Sequence, residues 1–115
     1  MEKVKFCSNI MNWLLSFFRE DRTFGVQRST LWPYARKQHL LEEPLCAVCG
    51  DSDDLEVHHI IPVHVDKTKE VNKGNLITLC RRDHIFVGHL GSFRSYNPTV
   101  RADAAVFLTK ILNKP

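Results

Sequence analysis

The run Leu55-Glu56-Val57-His58-His59-Ile60-Ile61-Pro62, followed at a distance by Asn75 and His84, decides how this chain is read. Its Val and Ile residues favour extended backbone, and Pro62 closes it. Side chains alternate along a strand, so His58 and His59 point to opposite faces. One can hold a metal while its neighbour meets a different atom of a substrate, a layout suited to hydrolysis. Downstream, Gly74-Asn75-Leu76-Ile77-Thr78-Leu79-Cys80 reads as a second short strand and runs into Asp83-His84, which brings a third imidazole to the start of a helix. The order predicts a hairpin followed by a helix.

Working outward, 115 residues suffice for one domain with a modest core. A core of that size benefits from a staple. Four cysteines are available, Cys7, Cys46, Cys49 and Cys80. Their uneven spacing and the tight Cys46-x-x-Cys49 pair favour metal binding over a disulfide framework, which implies a reducing, cytoplasmic setting. The formal net charge is only +3, so the global field attracts nucleic acid weakly and binding must rely on local clusters of bases. Arg28, Arg36, Lys37, Arg81, Arg82, Arg94 and Arg101 are the candidates, about half of them read as solvated surface charge.

Residues 4–18 are apolar and aromatic but shorter than the roughly 20 residues a spanning helix needs, and no secretory cleavage pattern is visible. Phe6, Ile10, Trp13, Leu14 and Phe17 recur at helical spacing. Residues 1–24 are therefore expected to form an amphipathic helix and connector that packs on the domain, self-associates or meets a protein partner, with peripheral membrane contact as the alternative. A second helix is expected after Ser29 or Thr30 as cap, with Pro33 in its first turn and an apolar face of Trp32, Ala35, Leu40 and Leu41. Cys46-Ala47-Val48-Cys49-Gly50 reads as a zinc-knuckle turn, and residues 66–74 as a polar loop. Residues 81–87 begin a helix ended near Gly88 or Gly91. Asn97-Pro98 starts a last helix whose face is Val100, Ala104, Phe107, Leu108 and Ile111.

The set His58-His59, Asn75 and His84, with Gly-Asn-Leu leading into Leu-Cys, resembles the HNH nuclease family. The resemblance covers about residues 28–105, with softer agreement at Arg28-Ser29, Trp32, Arg36, residues 86–90 and Asn97-Pro98. It implies an α+β fold built on a ββα-metal core, a short antiparallel hairpin plus helix, with flanking helices and a structural zinc site, the nuclease domain spanning residues 25–115. It implies further that His58 and His84 hold the catalytic divalent cation (Mg, Mn or Ni), that His59 is the general base and that Asn75 braces the hairpin carrying it. Nuclease colicins, a branch of the same superfamily, place two ligands four apart on the helix. Here His84 and His89 are five apart, so on an α-helix their rings diverge unless the helix ends at Gly88. His89 is kept as an accessory ligand. His64 is expected to line the cleft or face solvent.

The cysteines Cys46, Cys49 and Cys80 resemble the zinc-containing branch of the family, which usually closes its site with a cysteine just before the helix histidine. This chain has Asp83 there. A carboxylate is an acceptable though less usual zinc ligand, so Asp83 is the first choice for the fourth position. His89, His39 and Cys7 are the alternatives, as is a site without zinc. The resulting expectation is a metal-dependent endonuclease acting on DNA, RNA not being distinguished, with Arg36, Arg81, Arg82 and Arg94 on backbone phosphates. Small proteins of this arrangement often come from phages or their bacterial hosts, which implies packaging, mobility or defence as the setting. The competing reading is a non-catalytic, zinc-stabilised DNA-binding or phage-assembly module of the same fold, which would not require the complete His58, His59, Asn75 and His84 set.

Overall fold

The hairpin forms where the Val- and Ile-rich segments lie. In the computed structural model, which describes residues 28–115, β1 (Leu55–His59) pairs antiparallel with β2 (Leu76–Cys80). Leu55 lies opposite Cys80, Val57 opposite Thr78 and His59 opposite Leu76. Every residue of β2 is buried, because helical segments cover the hairpin on more than one side. The expected helix of residues 1–24 and Cys7 lie outside the described residues.

The connection between the strands is held by its own polar side chains. Asp66 accepts from the Thr68 amide at the start of a 3₁₀ turn over Lys67–Lys69, and Asn72 accepts from the Gly74 amide at a second over Lys73–Asn75. These are local side-chain caps of the kind short turns require.

Helix α1 (Trp32–Glu42) has Pro33 in its first turn, as expected. Its cap differs from expectation. Leu31 stands at the N-cap, and the Ser29 hydroxyl accepts only the Leu31 amide, a turn leading into the helix. The expected apolar face differs too: Leu41 is 68% exposed, and the face turned to the hairpin runs through Trp32, Ala35 and His39. Those residues follow helical i, i+3, i+7 spacing, which puts Leu41, two positions beyond His39, far round the helix.

After β2 the chain makes a single α-helical turn, α2 (Arg81–Asp83), and then widens into a π turn over His84–Gly88. The continuous helix expected over residues 81–87 is thus replaced. The His89 amide bonds back to the His84 carbonyl at 3.1 Å, five residues away. Leu90 and Gly91, with φ of 55° and 92°, turn the chain out of helical geometry.

Helix α3 (Val100–Leu112) begins later than Asn97-Pro98 suggested. Asn97 is buried, its Oδ1 accepting the Thr99 amide and its Nδ2 donating to the Val87 carbonyl and to Asp103. That turn fixes the helix start against the π turn. Val100 and Ala104 enter the core with Cys46, Val48, Cys49, Ile77, Leu79 and Cys80, and Ile111 packs against it. Phe107, expected on this face, is 47% exposed because it sits at the stripe's edge. The whole is an α+β fold in which an antiparallel hairpin is followed by a helical segment, with helices flanking it.

Candidate active site and metal centres

His58, His84 and His89 converge, each offering one ring nitrogen within 4.8 Å of the others. Two features of the backbone bring them together. His58 lies on the face of β1 turned to the helical segment, and the i to i+5 pattern of the π turn stacks His89 over His84. The divergence expected of five-residue spacing on an α-helix therefore does not occur. His58 meets His84 and His89 edge to face, with ring centroids 4.9 and 4.7 Å away. Phe93 backs both helical-segment histidines.

Hydrogen bonds set the tautomers. His84 Nδ1 lies 2.8 Å from Glu56 Oε1, and His89 Nδ1 lies 2.8 Å from the Ser95 carbonyl. Both partners are acceptors, so each Nδ1 carries the proton and each Nε2 keeps its lone pair. His58 is 1% exposed, and neither of its ring nitrogens has a hydrogen-bond partner among the described residues. Burial, then the neighbouring His84 and His89, push its pKa well below the ordinary value. A neutral, dry imidazole beside two others suits a borderline divalent cation, which would complete all three.

Gly88 makes this approach feasible. A Cβ there would stand 3.1 Å from His58 Cε1 and from Leu79 Cδ1. Gly88→Ala is expected to displace the His58 ring, costing about 1–3 kcal/mol of stability and weakening nickel binding. Melting curves and calorimetry check this; wild-type values in both would show that the ring gives way without consequence.

His59, on the opposite face, is held otherwise. Its Nε2 lies 2.8 Å from the Glu70 carbonyl and must donate to it, which leaves the lone pair on Nδ1. Trp32 packs against the ring with centroids 4.4 Å apart. Burial lowers its pKa to about 4, against the Glu70 hydrogen bond, which raises it. Asn75 braces the loop that follows: its Oδ1 accepts the Ile61 amide at 2.8 Å, and its Nδ2 donates to the carbonyls of Ile61 and Lys69. Glu70 lies on the segment so tied.

Both histidine faces open into one cavity of about 160 Å³, lined also by Arg28, Trp32, Arg36 and Glu56. Arg36 is thus at the cavity. Arg81 and Arg82, expected on phosphates, each pair through Nε with a buried or half-buried carboxylate: Arg81 Nε is 3.3 Å from Glu56 Oε2, and Arg82 Nε is 3.3 Å from Asp83 Oδ1. Arg94 and His64 are exposed, and neither lines the cavity.

The sulfurs form a second group. Cys46, Cys49, Cys80 and Asp83 are all buried, with donor atoms within 4.8 Å of one another. Asp83 Oδ2 is 3.3 Å from the sulfurs of both Cys46 and Cys80, and the Cys49 and Cys80 sulfurs are 3.8 Å apart. Two thiolates on a tetrahedral zinc with bonds of about 2.3 Å are separated by about 3.8 Å, so the spacing fits. Burial, then the Cys46 charge, pushes the Asp83 carboxyl up. Of the alternatives for the fourth ligand, His89 belongs to the histidine group, and His39 sits on α1 with Nε2 3.6 Å from Glu43.

Sequence reasoning missed Glu56. The signal was present, since residues 56 and 58 share a strand face, where a carboxylate can support the same ligand group.

A hairpin and helical segment gather three imidazoles that could hold a metal ion, beside a fourth held by a carbonyl. Residues 46–88 match the family described as HNH endonuclease, a span from the first knuckle cysteine to the end of the π turn. The matched residues include the His58-His59, Asn75 and His84 set from which the resemblance was read, and the match points to a nuclease-type or DNA-binding function. No curated protein and no solved structure matches the chain. Among the described residues no helix is long and apolar enough to cross a membrane.

Proposed function

We infer that the protein is a metal-dependent endonuclease that hydrolyses phosphodiester bonds in DNA. The observation that carries the reading is His58, buried with both ring nitrogens unpartnered among the described residues, facing two histidines whose tautomers are already fixed for ligation. His58, His84 and His89 hold the catalytic cation. Once bound, the cation supplies positive charge to the phosphate oxygens and to the leaving oxygen. His59 Nδ1 takes a proton from the attacking water while its Nε2–H stays on the Glu70 carbonyl. The water oxygen bonds to phosphorus as the bond to the leaving oxygen breaks, and the leaving oxygen takes a proton from solvent. Asn75 acts on the base through the loop it braces, without touching substrate.

Cys46, Cys49, Cys80 and Asp83 hold zinc for folding, as in the zinc-containing branch the cysteines resemble. Arg36 at the cavity and Arg94 on the surface contact backbone phosphates and carry little sequence information.

The experiment is incubation of the full chain with supercoiled DNA and with RNA, in magnesium, manganese or nickel against a chelator. Cation-dependent nicking or linearisation of DNA supports the reading. Binding without cleavage under every cation would leave the non-catalytic DNA-binding module, and cleavage of RNA alone would change the substrate.

Glu56 gives a further expected result. Its carboxylate orients His84, so Glu56→Ala should weaken divalent-cation affinity about 10–100-fold, whereas Glu56→Gln, which keeps an acceptor for Nδ1–H, should lose less. Calorimetric titration with nickel measures both. Equal affinities in wild type and Glu56→Ala would remove Glu56 from the site.

A further inference from the structure

Two arginines, Arg28 and Arg36, line the cavity, and Arg28 is the one with a buried nitrogen, Nη1, unpartnered among the described residues. Its guanidinium carbon lies 5.6 Å from the centre of the Trp32 ring, and Trp32 in turn packs on His59. Arg28, Trp32 and His59 thus form a connected wall. His58, His84 and His89 line the same cavity.

The charge of the cavity follows from its lining. Glu56 is the acidic residue there, and both its oxygens are engaged, by His84 and by Arg81. Arg28 and Arg36 are therefore not balanced by a carboxylate within the cavity. Glu70 opposes the cost of burying Arg28 by its charge, without a hydrogen bond to it among the described residues. A buried guanidinium nitrogen lacking an acceptor is costly, and an anion entering the cavity would relieve that cost.

We propose that Arg28 is a substrate-binding residue, its Nη1 taking up a non-bridging oxygen of the scissile phosphodiester in the cavity that the three histidines also line. This rests on the endonuclease reading above. The cation–π contact with Trp32 holds the guanidinium at the cavity's edge, on the side where Trp32 meets His59. Arg81 and Arg82 do not line this cavity, and their Nε atoms pair with Glu56 and Asp83.

The test separates phosphate contact from structural support. Binding of a short DNA duplex is followed by fluorescence anisotropy over a series of salt concentrations, in the full chain with His59→Ala to prevent cleavage, and with Arg28 intact or replaced by Ala or Lys. Loss of one phosphate contact should reduce the slope of log affinity against log salt by about 1 in Arg28→Ala, while Arg28→Lys keeps it. In the otherwise wild-type chain, Arg28→Ala should cut DNA about 10–100-fold more slowly, Arg28→Lys should recover part of the rate, and nickel affinity should be unchanged in both. An unchanged salt slope in Arg28→Ala overturns the proposal, as does a loss of cleavage matched by an equal loss of nickel affinity. If the wild type binds DNA with an Arg28-dependent slope yet cleaves nothing, the anion site stands and the endonuclease reading fails. Absence of DNA binding overturns both.

Discussion

His59→Ala should slow DNA cleavage by about 10²–10⁴-fold, the usual loss on removing a general base, while nickel and DNA binding stay near wild type. The separation follows from geometry. His59 leaves β1 on the face opposite His58, its hydrogen bond goes to the Glu70 carbonyl, and it shares no nitrogen with the three-histidine group. His58→Ala or His84→Ala should behave differently, lowering cation affinity and regaining part of the rate at high metal, because each removes a ligand and leaves the base. Single-turnover rates and calorimetry on the three variants distinguish the roles. Wild-type turnover by His59→Ala, in a preparation free of contaminating nuclease, would remove the base assignment.

Stripping zinc should unfold the domain. Structural zinc in small peptides binds with about 10–16 kcal/mol at neutral pH, as much as the whole stability of a typical domain, about 5–15 kcal/mol. The cysteines that would hold it are buried in the core with Ile77, Leu79, Val100 and Ala104, so the loss falls on the centre of the molecule. Protein purified without added metal should carry about one zinc per chain. Asp83→Ala should lower its retention, and Asp83→Cys should preserve or raise it. A zinc-free protein whose melting curve ignores a strong chelator would show that the cysteines are merely packed.

Much of this arrangement is legible in the residues themselves. The hairpin is, because Val57, Ile77 and Leu79 carry the apolar character that strands bury and Pro62 marks where β1 must stop. The opposite orientations of His58 and His59 follow from strand periodicity alone. Asp83 could be reached by counting from Cys80. The loop brace of Asn75 was available only through resemblance, since a turn asparagine after Gly74 reads the same way in isolation. The face of α1 was read correctly at Trp32 and Ala35, but hydrophobicity favoured Leu41, which is exposed, over His39, which is buried. Glu56 is an ordinary exposed-looking acid until the fold puts Arg81 and His84 on its two oxygens. The π turn had no local signature. It depends on Gly88 fitting over the His58 ring and on Asn97 taking the Val87 carbonyl, both long-range contacts.

That π turn makes the ligand spacing a matter of chain length as well as of residue type. A π turn holds one residue more than an α-helix needs to bring its ends into line, so His84 and His89 meet with four residues between them where an α-helix would allow three. A search pattern written with a fixed three-residue gap passes over His89 and reports a site one ligand short. Allowing that gap to lengthen by one, on condition that a glycine precedes the second histidine, would recover chains that solved the same geometry by insertion.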